Sequence, residues 1–239
     1  MTELVADAAA KWWRFRQEPD FVAREIVGPL GIADLVAVQF DQGALKDRRS
    51  AGIRPMDDFL ALRITASCRR RSFSVAELAD LLGISRSGIR RAARIGWEAG
   101  ALLEDGDGVR RYRTHPAWKP VGRRMVAAEL KRSDWRRAIH QAWAYQAWAN
   151  ATWLVLGQRP PRDAPAELAK AGIGLAYLGE DEALNVVVRP PRARRLSGVV
   201  SVWTAEQALL HALASGEDPG AIPKRGPARQ VAHLALPGH

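Results

Sequence analysis

The chain has 239 residues, of which 47% are hydrophobic, and a formal net charge of +10, which allows one large domain or two small ones. The excess of basic residues favours a polyanionic partner, most commonly nucleic acid. The alternative is that a GC-rich genome encodes an arginine-rich protein, which would have the same charge. The single cysteine, Cys68, excludes an intramolecular disulfide, and the lack of a long apolar run or a signal-peptide core predicts a cytoplasmic protein without a membrane partner.

The first 50 residues predict a helix followed by a β-hairpin. Residues 3–17 are rich in helix formers and have apolar residues at helical spacing. Two β-branched runs, 21–28 and 32–40, are separated by Pro and Gly, which favour a tight connection. In the second run Asp34 alternates with β-branched residues, where an unpaired carboxylate would be costly. We therefore expect a group that compensates its charge.

Residues 51–116 differ in character and predict three helices followed by a short hairpin. Ser74 and Glu77 have the spacing of a capping box at the start of the second helix. The third helix is expected to begin at Ser85. Two short runs around Asp-Gly-Asp-Gly then predict a pair of strands.

The segment from Leu78 to Gly100 resembles the helix-turn-helix of winged-helix DNA-binding proteins. Gly83 occupies the turn between the two helices. The resemblance implies that residues 51–116 form a winged helix-turn-helix domain in which the short hairpin is the wing. One departure is Gly96, where such helices usually carry a large apolar residue, and we expect Trp97 or Ile95 to fill that space.

Arginines recur every four residues along the third helix and form a stripe. Recognition helices of this class enter the major groove of double-stranded DNA, where arginine pairs with guanine or contacts phosphate. A solvated helix face and a protein-binding winged helix are the alternatives. The predicted DNA-binding residues are Arg86, Ser87, Arg90, Arg91 and Arg94 on the helix, and Arg110, Arg111 and Arg113 on the wing.

The rest of the chain predicts a sheet flanked by helices. The expected elements are a strand over 123–131, a helix over 134–149, a strand over 152–157, a helix over 164–172, strands within 174–190 and a helix over 202–214. The tryptophans of the helix over 134–149 are expected in the core. Residues 216–239 are rich in Gly and Pro and predict a tail or an arm that a partner orders.

Glu129 and Lys131 lie two residues apart on a predicted strand, so both project from one face. Pairing of this strand with the run that contains Asp34 would bring two carboxylates together, and these repel each other unless a cation lies between them. Mg²⁺ commonly binds one or two carboxylates together with water and substrate phosphate. An ammonium beside them would orient water or offset charge in phosphodiester hydrolysis. An exposed ion pair and a carboxylate that caps backbone amides are the alternatives for these residues.

These residues resemble the PD-(D/E)xK nuclease superfamily, whose signature is an Asp on the second core strand and Glu-x-Lys on the third. Asp34, Glu129 and Lys131 fill the signature, although Ala33 replaces the usual Pro. The resemblance implies an α/β (α+β) fold: a restriction-endonuclease-like αβββαβ core over 1–50 and 117–215, with the winged-helix domain inserted between the second and third core strands. Further site residues implied by the family are Glu25, Gln141 and Tyr145.

The family resemblance implies a DNA endonuclease with Mg²⁺, or Mn²⁺, held by Asp34 and Glu129. Glu25 and Gln141 are alternatively solvated positions, and Tyr145 a core aromatic with its hydroxyl at the rim. Two other functions stay open: a DNA-binding regulator or recruitment module whose nuclease-like core no longer cuts, and an RNA-processing protein. Such nucleases often act as homodimers or in larger DNA-processing complexes, and the sequence does not choose between these states.

Overall fold

The structure, a computed structural model, describes residues 7–9, 19–28, 31–105, 110–191 and 198–219. Most of the helix predicted over 3–17, and the tail from residue 220 onward, lie outside the described residues. The strands are β1 (Phe21–Gly28), β2 (Gly31–Phe40), β3 (Phe73–Ser74), β4 (Leu102–Asp105), β5 (Arg111–Thr114), β6 (Gly122–Lys131), β7 (Ala151–Leu156), β8 (Gly174–Leu178) and β9 (Leu184–Val188). The helices are α1 (Gln42–Ser50), α2 (Phe59–Ser67), α3 (Val75–Leu82), α4 (Arg86–Glu98), α5 (Trp135–Tyr145), α6 (Ala164–Ala171) and α7 (Val199–Ala214).

The fold is mixed α/β, with a six-stranded mixed sheet in the order β1-β2-β6-β7-β8-β9. β1 and β2 form the predicted antiparallel hairpin. β2 also pairs antiparallel with β6, with Val36 opposite Ala127, so the run that contains Asp34 lies beside the run that contains Glu129 as expected. β6 and β7 are parallel, and α5 connects them. The end of β6 and the start of β2 therefore meet at one edge of the sheet.

The central strand β6 is buried over six consecutive residues, 125–130, because both faces of the sheet are covered. On one face Ala127 packs in a cluster with Trp148 and residues of α7. On the other face Ala128 packs in a cluster that includes Ala9 and Trp153. A charged side chain at the end of this strand therefore needs partners within the protein. Every helix in the described part of the chain is too short or too polar to cross a lipid bilayer.

The helices α2, α3 and α4 pack with a three-stranded sheet, β3-β5-β4, around a hydrophobic cluster against which Val199, Val202 and Trp203 of α7 also pack. The capping box of Ser74 and Glu77 is present, and Ser85 caps α4, as predicted. The prediction for Gly96 was wrong for Trp97, which stays 53% exposed. Leu102 of β4 lies only 2.8 Å from where a side chain at Gly96 would begin, and Ile95 packs partly buried against the same hydrophobic cluster.

Several boundaries differ from the sequence predictions. α5 ends at Tyr145 instead of continuing to residue 149, and α7 begins at Val199 instead of residue 202. The expectation of core tryptophans holds for Trp135 and Trp148 but fails for Trp143, which is 64% exposed. α5 thus presents one large aromatic ring to solvent.

A buried ion pair, which the sequence analysis missed, joins α1 to α7. Arg48 Nη1 lies 2.5 Å from Glu206 Oε1, and both side chains are almost fully buried. Glu206 Oε2 also accepts a hydrogen bond from the Met56 backbone amide at 3.2 Å. The Arg48 guanidinium lies over the Trp118 ring. This pair ties α7, which packs on the large sheet, to the segment that leads into α2.

Candidate active site and nucleic-acid interface

The candidate site lies where the pairing of β2 and β6 stops. The last paired residues of the two strands are Leu35 and Ala128, and the same register extended by one step sets Asp34 opposite Glu129. Beyond this point the Leu130 backbone amide donates to Asp34 Oδ2 at 2.7 Å. A side chain has therefore replaced a strand carbonyl as the acceptor. These two segments, 96 residues apart in the chain, meet through this contact.

Glu129 is the most deeply buried charge of the site, with 1% of its side chain exposed. Its Oε1 lies 2.5 Å from Lys131 Nζ, and its Oε2 accepts from the Tyr145 hydroxyl at 2.6 Å. Two partners thus compensate the removal of this carboxylate from water. Lys131 retains 29% exposure, so its ammonium can reach a ligand in solvent. The two residues do not form a wholly exposed ion pair.

The Tyr145 hydroxyl lies between two acceptors. It is 2.6 Å from the Ile32 carbonyl oxygen and 2.6 Å from Glu129 Oε2. A phenol has one hydrogen, so it can donate to only one of them at a time. Burial raises the pKa of Tyr145, and the hydrogen bond to Glu129 adds to the increase, so the hydroxyl stays protonated. The Tyr145 side chain thus fixes α5 against both the start of β2 and the end of β6.

Glu25 lies beside Asp34 on the opposite side of β2. The pairing of β1 with β2 includes Arg24 with Leu35 and Ile26 with Ala33 but omits the pair between them, Glu25 and Asp34. Glu25 has a φ of 53°, in the left-handed region that residues other than glycine seldom occupy. Such strain persists where the surroundings impose it, often at functional sites. Both ladders are thus interrupted at Asp34.

The predicted site residue Gln141 is exposed on α5, one turn before Tyr145. The side-chain amide of Gln141 makes no hydrogen bond with the part of the chain that the structure describes. The structure therefore brings Glu129 into direct contact with Lys131 and Tyr145. Asp34 contacts the Leu130 amide, which lies between Glu129 and Lys131 in the chain, and Glu25 lies beside Asp34. Gln141 faces solvent. Its role stays a prediction.

The donor set at the site suits a hard divalent cation in part. Asp34 and Glu129 are oxygen donors, and Mg²⁺ proteins commonly supply only one or two carboxylates, with water and substrate phosphate as the other ligands. Among the described residues, no group of three or more His, Cys, Asp or Glu side chains comes together. Two carboxylates match the smallest protein donor set of a Mg²⁺ site, and they are too few for a metal that needs a full protein cage.

Five of the predicted DNA-binding residues line a groove of about 950 Å³ between α4 and the β4–β5 hairpin: Arg86, Arg90, Arg91, Arg94 and Arg110. Arg86, Arg90 and Arg91 are exposed on α4 and form no ion pair with the described residues. Ser87 is exposed beside them, with its hydroxyl 3.1 Å from that of Ser85. The stripe therefore presents unpaired cations to solvent.

The wing arginines and Arg94 form ion pairs with acidic side chains, which the sequence did not predict. Arg94 lies 3.6 Å from Glu98, Arg110 lies 3.3 Å from Glu104, and Arg113 lies 3.8 Å from Asp105. Exposed pairs of this kind are weak, so an anion can displace the carboxylate. Arg111 is different, because it contacts both the Glu77 carboxylate at 2.9 Å and the Ser72 carbonyl at 3.1 Å. It ties β5 to the start of α3.

The arrangement at the start of α3 perturbs Glu77. Hydrogen bonds from the Ser74 amide and hydroxyl, and then from Arg111, lower the pKa of Glu77 from 4.5 to about 2. The carboxylate is therefore the favoured form at neutral pH. This cluster has a structural effect, since it joins α3 to the hairpin that borders the groove.

Comparison with models of protein families, with curated protein sequences and with solved structures finds no match. The two surfaces are therefore interpreted from their own geometry. Sequence reasoning missed the Ile32 carbonyl and the Leu130 amide as site groups, because backbone groups at the end of a ladder leave no signal in residue type. Sequence reasoning did find the side chains of Glu129 and Lys131, because residues two apart on a strand project from the same face.

Proposed function

We propose that this protein is a Mg²⁺-dependent DNA endonuclease with a restriction-endonuclease-like core, into which residues 51–116 are inserted as a winged-helix domain that grips or selects DNA. One observation carries the proposal: Asp34 contacts the strand of Glu129 and Lys131 from a distant part of the chain. Strands β1, β2 and β6, helix α5 and strand β7 also follow the order of an αβββαβ core, apart from the segment between β2 and β6.

The side chains would divide the work of phosphodiester hydrolysis. Asp34 and Glu129 would hold Mg²⁺, which supplies charge for the phosphoryl oxygens and a more acidic water. Lys131, which is paired with Glu129 and partly exposed, would orient the attacking water or stabilise charge that develops on the phosphate. Tyr145 is a positioning residue, because its hydroxyl holds Glu129 from the side opposite Lys131.

The test is plasmid nicking in the presence of Mg²⁺ or Mn²⁺, with wild type compared to Asp34→Ala and Lys131→Ala. Removal of one such group typically lowers a rate by about 10²- to 10³-fold. We expect losses of this size, and complete loss after chelation of the metal. Glu167→Ala and Lys170→Ala on α6 remove the same charges at exposed positions and should cut at the wild-type rate. Equal cleavage by all five proteins would end the catalytic proposal.

A second candidate is a DNA-binding regulator or recruitment module that does not cut. It is favoured by the small donor set, since no group of three or more acidic, His or Cys side chains in the described part of the chain could hold a metal ion. In that case the wild type would bind duplex DNA with normal affinity and leave the plasmid intact under every metal condition. Preferred binding to structured RNA over duplex DNA would instead favour RNA processing.

A further inference from the structure

The groove between α4 and the β4–β5 hairpin contains an exposed aromatic ring among its cations. Trp97 is 53% exposed and lines the groove together with Arg86, Arg90, Arg91, Arg94 and Arg110. One acid, Glu104, also lines it and pairs with Arg110. No ring or arginine from the described part of the chain stacks on the indole. The groove therefore combines a surplus of positive charge with an aromatic surface that has no partner.

The position of Trp97 on α4 continues the arginine stripe. Trp97 follows Arg94 by three residues and Arg90 by seven, and both spacings return to the same face of a helix. The stripe from Arg86 to Trp97 extends about 16 Å at the rise of an α-helix. At about 3.4 Å per nucleotide, roughly five nucleotides would cover that length. The helix face thus offers cations first and an aromatic ring at its end.

We infer that this groove is a binding site for unpaired nucleotides next to a DNA duplex, with Trp97 as the surface on which a base stacks. A duplex exposes only base edges in its grooves, whereas a tryptophan ring stacks on the face of a base. Sites for single strands combine a basic groove that follows the backbone with aromatic rings that hold successive bases. The α4 groove contains both components.

The inference rests on the proposed DNA binding but not on cleavage. It names the substrate class as DNA with a junction between double and single strands. Arg86, Arg90 and Arg91, which have no acid partner in the described part of the chain, would contact phosphates. The groove volume of about 950 Å³ lies at the upper end of the range for ligand pockets.

The experiment measures the affinity of the full chain for three labelled DNA probes in chelator, so that no cleavage occurs. The probes are a blunt duplex, the same duplex with a six-nucleotide overhang, and the same duplex with an RNA overhang. We expect the DNA overhang to raise affinity by roughly 5- to 150-fold, as one stacked base contributes. Trp97→Ala should abolish that preference while leaving blunt-duplex affinity unchanged, and Trp97→Phe should retain part of it.

Trp143→Ala is the matched control, because it removes an equally exposed tryptophan from α5 and should keep the full preference. A 2-aminopurine in the overhang reports stacking directly, and its fluorescence should be quenched by wild type and by Trp143→Ala but not by Trp97→Ala. An overhang preference or quenching that survives in Trp97→Ala would overturn the inference, and so would a tenfold preference for the RNA overhang.

The two proposals fail in different ways. If blunt duplex binds and Trp97→Ala behaves as wild type on every probe, the inference is wrong and the proposed duplex binding stands. If neither the blunt duplex nor the overhang binds to the wild type, the proposed DNA binding fails and the inference fails with it. A thermal melt of Trp97→Ala verifies folding, which the exposure of this side chain should leave intact.

Discussion

The candidate active site and the α4 surface hold their charges in opposite ways. At the candidate active site, Glu129 is 1% exposed and each carboxylate oxygen has a partner within 2.6 Å. On α4, Arg86, Arg90 and Arg91 are exposed and form no ion pair with the described residues. A buried charge depends on each of its partners, whereas exposed charges of one sign act together on a polyanion. Substitutions should therefore have large individual effects in the first region and cumulative effects in the second.

A third charged cluster differs from the candidate active site in its access to solvent. Arg48 and Glu206 are separated by 2.5 Å, the same distance as Lys131 and Glu129. Arg48 is 3% exposed, however, and Lys131 is 29% exposed. Only the second pair has a cation that a ligand can reach. Access to solvent, and not the length of the ion pair, is therefore what differs between the two pairs.

Breaking the structural pair should produce the largest effect in the molecule. Arg48→Met leaves Glu206 buried without a cation, and loss of one partner of a buried pair costs about 3–5 kcal/mol. The free energy of unfolding, measured by urea denaturation, should fall by this amount. The double variant Arg48→Met with Glu206→Leu removes both charges and should recover most of the loss. A decrease below about 1 kcal/mol for Arg48→Met would show that the pair is not a structural link between α1 and α7.

The next largest effect concerns the hydroxyl that holds Glu129. Tyr145→Phe removes one hydrogen bond to a charged group, worth about 1.5–3 kcal/mol, while the ring still fills its place in the core. If the site cuts DNA, the single-turnover cleavage rate should fall roughly 10- to 150-fold with duplex affinity unchanged. Tyr177→Phe on β8 is the matched control and should cut normally. An unchanged rate in Tyr145→Phe would assign this residue to packing alone.

On the exposed surface, single changes should matter less and add together. Arg90→Ala with Arg94→Ala removes two phosphate contacts, so the slope of log affinity against log salt should fall by about 2 in magnitude. Affinity for blunt duplex at moderate salt should fall about tenfold. The control is Arg69→Ala with Arg70→Ala, which removes the same charge from the end of α2. Equal slopes in all three proteins would mean that the α4 stripe is a solvated face.

Local signals explain why much of this fold could be predicted from the sequence. The β1–β2 hairpin, the capping box at Ser74 and the strand that ends in Lys131 all depend on residues close together in the chain. Helix α1 escaped prediction because Ala44 and Leu45 are its only buried apolar residues, too few to give a helical period. Trp143 was misplaced because the helical pattern of its neighbours does not reveal that α5 leaves this side uncovered.

The candidate site shows the same limit. Glu129 and Lys131 could be found because a strand repeats every two residues, and Asp34 because it interrupts an apolar row. The left-handed backbone of Glu25 has no signal in residue type, since glycine and asparagine are the usual occupants. The Arg48–Glu206 pair joins positions 158 residues apart, and no local pattern links them. Contacts that tertiary packing imposes cannot be predicted from one sequence by local patterns alone.

The smallest expected effect concerns Glu77, which joins α3 to the hairpin at the edge of the groove. Its pKa is about 2 in the folded protein, below the ordinary 4.5, so the unfolded chain binds more protons in this range. The stabilisation is therefore fully present above about pH 4.5 and is lost as the pH falls toward 2. Glu77→Gln cannot titrate, so its melting temperature should lie below that of wild type at pH 6, and the gap should close toward pH 2. Glu167→Gln, an exposed acid on α6, should track wild type throughout. A gap for Glu77→Gln that stays constant with pH would show that the loss of stability comes from altered cap geometry and not from the charge.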